Sequence, residues 1–210
     1  MRDEANQAAV FDELAASAPT SHGGLNMIIA FGLVEGNAGS TSDCIKAYVQ
    51  SFLDWTPCPT HVLLPAELVP THAKHIHQPV APLIRSLYGH PLAFASWQNH
   101  LATILSKELL GIEMPEQPSC FHFQSMSLAL SVYVDDLTLS GPQNNHSKFW
   151  STLQKRVQLE DPAELRKVLG GIMSCAIKSS IFARLTVMAE PWLRQMINVL
   201  DDSHRPLQSL

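Results

Sequence analysis

Two adjacent aspartates, Asp135 and Asp136, interrupt a stretch of mostly apolar residues in this 210-residue chain. Neighbouring carboxylates repel each other unless a cation lies between them, and carboxylate oxygens are ligands that hard divalent cations prefer. Aspartates are also ordinary turn residues, which are solvated and inert. The pair therefore indicates either a divalent-cation site or an acidic turn.

The residues around the two aspartates alternate with a period of two. Leu128, Leu130, Val132 and Val134 precede the pair, and Leu137 and Leu139 follow it. Such alternation is typical of strands that bury one face. The pattern predicts a β-hairpin with both aspartates at or beside its tight turn.

Three segments resemble the copia-type LTR retrotransposon reverse transcriptases, in the order that this family has them. The hairpin segment Val132–Gly141 reads VYVDDLTLSG, and the earlier segments Asp43–Leu53 and Ser86–Trp97 read DCIKAYVQSFL and SLYGHPLAFASW. No single match is specific, but the three together are. The resemblance implies the RNA-directed DNA polymerase region of a Pol polyprotein, as a partial or decayed copy.

The resemblance implies a catalytic role for three carboxylates. Asp43 would join Asp135 and Asp136 in holding Mg²⁺ or Mn²⁺, which would bind the incoming deoxynucleotide triphosphate and activate the primer 3′-hydroxyl. Asp43 precedes Asp135 by 92 residues, which is enough chain for the two sites to meet on one sheet. Without the hairpin, Asp43 would be interpreted as an exposed helix-capping residue.

Four further residues are expected to contact the substrate or the primer end, again through the resemblance. They are Tyr133, Val134, Tyr48 and Ser86. The implied partners are an RNA or DNA primer-template and deoxynucleotide triphosphates.

The implied fold is α+β, a polymerase palm in which helices back a small antiparallel sheet with its catalytic hairpin. We expect an N-terminal extension over 1–24, a palm-like domain with incomplete fingers over 25–200 and a C-terminal tail over 201–210. The segment Leu25–Val34 fits a buried helix or a buried strand, and we favour the helix. The other predicted helices cover Asp3–Ser17, Phe94–Leu105 with a stop at Gly111, Ser147–Val157 and Pro191–Leu200, and one begins at Asp161-Pro162. Strands are predicted over His61–Pro65, Ile84–Gly89, Cys120–Gln124 and Ile181–Val187, and a turn over Glu35–Ser42.

The charge balance is unfavourable for holding nucleic acid. The chain has 14 Lys and Arg against 19 Asp and Glu, for a formal net charge of −5. No Lys or Arg occurs between Asp3 and Ile45, where the family places basic finger residues. Because nucleic-acid affinity grows with the number of phosphates neutralised, we expect reduced or lost polymerase activity.

The sequence contains no bilayer-length apolar run and no secretory signal. Its 4 cysteines form no C-x-x-C pair, which favours a reducing compartment. These features predict a soluble intracellular protein, in the cytoplasm or the nucleus, with no membrane partner.

Two other interpretations stay open. The chain could be a non-catalytic palm remnant that serves as a binding or interaction module. It could also be an unrelated hydrolase that uses paired acids, although the sequence offers no nucleophile elbow and no Ser-His or Cys-His arrangement. His72, His75 and His77 are expected in an exposed loop rather than in a metal site, because no carboxylate or thiol lies near them in sequence.

Overall fold

The computed structural model describes residues 18–53 and 59–165, together with the short strands up to residue 172. In chain order its elements are α1 His22–Gly32, β1 Asn37–Asp43, α2 Ala47–Gln50, β2 His61–Leu63, β3 Val80–Pro82, α3 Ala93–Glu108, β4 Ile112–Met114, β5 Gln117–Phe123, β6 Leu128–Tyr133, β7 Asp136–Pro142, α4 Gln143–Leu153, β8 Ala163–Glu164, β9 Lys167–Val168 and β10 Gly171–Ile172.

These residues divide into two compact units. Residues 46–101 belong to one unit, and residues 18–45 together with the chain from 102 onward belong to the other. The predicted domain boundaries at 24 and 200 stay predictions.

The larger unit is built on a six-stranded sheet with the order β4-β5-β6-β7-β1-β8. Every pair of neighbouring strands in it is antiparallel. With α1 and α4 packed against these strands, the architecture is α+β, as predicted.

Helices cover both faces of this sheet. In an antiparallel pair, directly opposite residues project to the same face. Met27, Ile28 and Phe31 of α1 form a core cluster with Cys120 and Ala129, so α1 covers the face to which Ala129 belongs.

Helix α4 covers the opposite face. The ring of Phe149 lies 4.9 Å from that of Phe123, edge to face, and Phe123 is paired with Leu128. The side chains of Leu128 and Leu130 are fully buried. The predicted hairpin is therefore confirmed, and the apolar set of its first strand forms the centre of the core.

Most of the other predicted elements in this unit are also confirmed. Helix α1 covers most of the predicted segment Leu25–Val34, β5 contains Cys120–Phe123, and α4 covers the first half of Ser147–Val157. Helix α3 is confirmed as well, but Gly111 is not its left-handed stop. That conformation belongs to Leu110, with φ of 58°. Gly111 is instead required by close packing, because a Cβ there would lie 2.6 Å from the Phe123 ring.

The predicted turn over Glu35–Ser42 is wrong, because most of this segment is strand β1. Its small residues allow close approach by neighbouring segments: a Cβ on Gly39 would lie 2.7 Å from the Leu165 side chain. A Cβ on Gly32 of α1 would lie 3.2 Å from the Ala38 carbonyl oxygen. Pairing with β7 and β8 overrides the low strand propensity of this composition.

Two further predictions need correction. Asp161-Pro162 does not begin a helix, because β8 follows directly and pairs with β1. In the smaller unit His61 begins a strand as predicted, but the second strand is Val80–Pro82 rather than Ile84–Gly89. His72, His75 and His77 are exposed between these two strands.

The segments Asp3–Ser17, Ile181–Val187 and Pro191–Leu200 lie outside the described residues. Among the helices that the structure describes, none is both long and apolar enough to cross a bilayer.

Candidate active site

Asp43 is the last residue of β1 and lies directly opposite Asp136, the first residue of β7. Opposite residues of an antiparallel pair project to the same face, so their carboxylates lie side by side. The two side chains are within hydrogen-bonding reach. Strand pairing thus brings together two residues that are 93 positions apart in the sequence.

Asp135 occupies the turn between β6 and β7 rather than the ladder. Its carbonyl accepts a hydrogen bond of 2.8 Å from the backbone N–H of Cys44. A shared metal site predicts that Asp43 and Asp135 lie within metal-bridging reach, with Asp136 beside them. In the structure Asp136 is the direct partner of Asp43, because the strand register places these two residues opposite each other.

The alternation predicted Val134 on the buried strand face, which is wrong: Val134 is the other turn residue, is only partly buried and has φ of 58°. A β-branched residue rarely adopts this left-handed conformation, and strain of this kind clusters at functional sites. The hairpin therefore holds its acidic tip with a backbone conformation that is costly for valine.

The end of β1 is fixed on its other side by the segment Gln158–Glu160. The carbonyl of Asp43 accepts a hydrogen bond of 2.9 Å from the N–H of Glu160, and the Ile45 N–H donates to Gln158 at 2.9 Å. Ser42 adds a side-chain bond of 2.8 Å to the Glu160 carbonyl. The backbone around Asp43 is therefore hydrogen-bonded to the hairpin on one side and to Gln158–Glu160 on the other.

Asp136 carries the clearest electrostatic signature of the site. Partial burial and the charges of Asp43 and Asp135 raise its pKa to about 6. When protonated, Asp136 can donate a hydrogen bond to the Asp43 carboxylate, which favours the neutral form further. The pair therefore shares a proton below about pH 6, whereas at higher pH both carboxylates are charged and a bound cation would relieve their repulsion.

Cys44 was not singled out from the sequence. Its thiol is buried, and burial followed by the negative charges of Asp135, Asp43 and Asp136 raises its pKa far above the ordinary value. The thiol therefore stays protonated and unreactive at neutral pH. All three carboxylates therefore lie close enough to Cys44 to act on its thiol.

The donor set fits a divalent cation in part. Within the described ranges, no group of three or more His, Cys, Asp or Glu side chains is arranged to hold a metal ion. Asp43 and Asp136 nevertheless form a two-carboxylate pair, and Mg²⁺ is often held by one or two carboxylates together with substrate phosphates.

Tyr133 lies opposite Asp136 on β6, so it extends the row formed by the two aspartates. Its side chain is exposed, as a substrate-contacting residue requires. Tyr48 and Ser86 belong to the smaller unit. There the Tyr48 ring lies 4.8 Å from that of Tyr88, and Ser86 is buried and accepts a hydrogen bond of 3.0 Å from Ser51. The substrate contacts expected of Tyr133, Val134, Tyr48 and Ser86 stay predictions.

A second polar cluster was also missed from the sequence. Ser40 of β1 lies within hydrogen-bonding distance of His146 and Trp150 on α4. The only sequence signal for it was the spacing of His146 and Trp150, which places them one turn apart on a helix. Their contact with Ser40 could not be predicted, because the segment that forms β1 was predicted as a turn.

Comparisons with protein-family models, with curated proteins and with solved structures gave no match.

Proposed function

We propose that this chain is a reverse-transcriptase-like palm that transfers nucleotides with the help of divalent cations, with activity that is reduced or lost. The proposed cation ligands are Asp43, Asp135 and Asp136. The proposed fold is the palm of a copia-type retrotransposon polymerase, which is a finer assignment than the observed α+β architecture.

One observation carries the proposal: the strand register brings Asp43 next to Asp136 at the tip of the hairpin. A fold gains nothing from placing like charges side by side, and the raised pKa of Asp136 records that repulsion. Bound cations would remove the repulsion. This supports a site that is selected for binding rather than for stability.

The chain's own residues would contribute ligands and positioning. Asp43 and Asp136 would supply two carboxylates to a shared cation, and Asp135 would add negative charge from the turn. In two-metal sites of this class, the ions lie roughly 3.5–4 Å apart and stabilise the attacking and leaving oxygens. The exposed ring of Tyr133 would border the substrate on the same face.

The expected weakness of the activity follows from charge. A net charge of −5 opposes the approach of a polyanion, and residues 3–45 offer no cation to the template or the triphosphate. Catalysis needs positioned substrates as well as metal ions. A weakly bound primer therefore slows the reaction even where the carboxylates are correctly placed.

A non-catalytic palm remnant is the second candidate. It is favoured by the lack of a three-ligand group among the residues that the structure describes. Under this interpretation the chain would act as a binding or interaction module, and the aspartate pair would take no part in metal-dependent catalysis.

Primer extension separates the two candidates. The purified 210-residue chain would be incubated with labelled primer-template, deoxynucleotides and Mg²⁺ or Mn²⁺. The polymerase proposal predicts slow extension that Asp136→Asn abolishes and Asp161→Asn, which changes an exposed acid outside the hairpin, preserves. Absence of extension at saturating primer-template and cation would leave the remnant as the better account.

A further inference from the structure

A serine and a histidine that are distant in the sequence meet on the face of β1 opposite to the aspartate pair. Ser40 Oγ lies 2.7 Å from Nδ1 of His146, across 106 positions of the chain. Nε2 of His146 lies 3.1 Å from the carbonyl oxygen of Gly141. Because a carbonyl only accepts hydrogen bonds, Nε2 carries the proton of the neutral ring. Nδ1 is then the acceptor for the Ser40 hydroxyl.

We propose that Ser40 and His146 form a nucleophile-base dyad that hydrolyses small carboxylic esters. The three elements that such chemistry requires are present: a hydroxyl, a base within 2.6–3.2 Å of it, and a group that orients the base. Here the Gly141 carbonyl takes the orienting role that a carboxylate has in the Ser-His-Asp arrangement.

The dyad borders a cavity of about 700 Å³, which is in the range of small-molecule sites. Ser40 is partly exposed there, whereas His146 is buried. The wall also includes Ile29 and Leu33, from the segment of α1 on the other face of the sheet. The side-chain amides of Gln143 and Gln154 also line it and can donate to a carbonyl oxygen.

The Trp150 indole N–H donates a hydrogen bond of 2.8 Å to Ser40 Oγ. This bond fixes the oxygen and stabilises negative charge on it, while one lone pair stays available for attack. Burial lowers the pKa of His146, although its bond to Gly141 acts in the opposite direction. The ring is therefore neutral at pH 7 and able to accept a proton.

The reaction balances with water as the only co-reactant. Ser40 Oγ forms a bond to the ester carbonyl carbon, and its proton moves to Nδ1 of His146. The bond from that carbon to the alcohol oxygen breaks, and the alcohol leaves with the proton from Nδ1. Water then attacks the acyl-serine, gives a proton to Nδ1, and releases the acid while Ser40 recovers its hydrogen.

A fluorophosphonate probe tests the dyad, because serine attack forms an O–P bond and expels fluoride. The full 210-residue protein would be labelled near neutral pH, and the modified residue would be located by mass spectrometry. We expect an adduct on Ser40. His146→Gln retains hydrogen-bonding groups but is not a base, and should slow labelling by at least about tenfold. Ser106→Ala, at an exposed serine of α3, should label like the wild type.

The folded state of each variant would be checked by its melting temperature. A folded wild-type protein without an adduct on Ser40 would overturn the proposal, as would equal labelling of folded His146→Gln. If His146→Gln does not fold, hydrolysis of p-nitrophenyl acetate by the wild type and by Ser40→Ala decides. Loss of hydrolysis in folded Ser40→Ala supports the dyad, and unchanged hydrolysis contradicts it.

Discussion

The two ends of the β6–β7 hairpin differ in what their residues contribute. At the base, Leu128, Leu130 and Leu139 are fully buried between helices on both faces. At the tip, Asp136 faces Asp43 across the ladder, and Val134 is held at a left-handed φ. The base supplies the hydrophobic stabilisation that holds an unfavourable tip in place. Residues of the base should therefore dominate folding stability, whereas residues of the tip should dominate ion binding.

The largest effect on stability is expected from a charge placed on the buried face of the hairpin. Val132→Asp buries an unpaired carboxylate at a side chain that is 4% exposed, and should lower the free energy of unfolding by about 3 kcal/mol or more. Denaturant titration measures this change. Ile112→Asp is the matched control on an exposed side chain and should change it by less than about 1 kcal/mol. Similar losses for both variants would show that burial does not distinguish the two positions.

A smaller loss is expected from added volume where β7 ends. A Cβ on Gly141 would lie 2.5 Å from the Ser127 carbonyl oxygen, and φ is +138°. Gly141→Ala should lower the free energy of unfolding by about 1–3 kcal/mol through overpacking, in addition to the backbone strain. Gly36→Ala isolates the backbone part, since its φ is +85° and its Cβ would meet nothing within 4 Å. Equal losses in the two variants would remove the steric explanation.

At the tip, removal of charge should stabilise the metal-free protein. The folded-state pKa of Asp136, about 6, lies above the ordinary value of 3.8, so the folded state binds this proton more tightly. Its contribution is fully present below pH 3.8 and is lost as the pH rises through 6. In EDTA, Asp136→Asn should therefore melt at a higher temperature than the wild type at pH 7.5. This advantage should shrink towards pH 4, and a constant difference across the range would contradict the assignment.

The smallest effect is expected at the strained turn residue. Val134→Gly relieves the left-handed conformation but introduces the greater backbone entropy of glycine, and these effects oppose each other. The free energy of unfolding should stay within about 1 kcal/mol of the wild-type value in a denaturant titration. Val132→Gly, two positions earlier and buried, should be clearly destabilising by comparison. A loss above about 2 kcal/mol for Val134→Gly would place this residue with the base rather than the tip.

The sequence was most informative where periodicity and burial coincide. The hairpin, α1, α3, α4 and β5 could be predicted because their apolar residues recur at the period of the element they form. Strand β1 could not, because Asn37–Ser42 contains small polar residues whose strand conformation comes from pairing and close packing.

The candidate site, like the fold, could be predicted only in part. Residue types and the resemblance pointed to the three aspartates, but the direct pairing of Asp43 with Asp136 depends on strand register. The Ser40–His146 contact depends on β1 as well, so it could not be found while that segment was predicted as a turn. The features that could not be predicted from the sequence therefore depend on the pairing of distant strands rather than on local sequence pattern.

Cation binding by the aspartate pair tests the central claim most directly. Mn²⁺ would be titrated into the 210-residue protein at pH 7.5, and free Mn²⁺ would be followed by electron paramagnetic resonance. We predict saturable binding that Asp43→Asn and Asp136→Asn each weaken at least about tenfold, or about 1.4 kcal/mol. Asp135→Asn should weaken it less, because Asp135 lies in the turn, and the exposed-site control Asp161→Asn should not change it. Equal binding by the wild type, Asp43→Asn and Asp136→Asn would contradict the account.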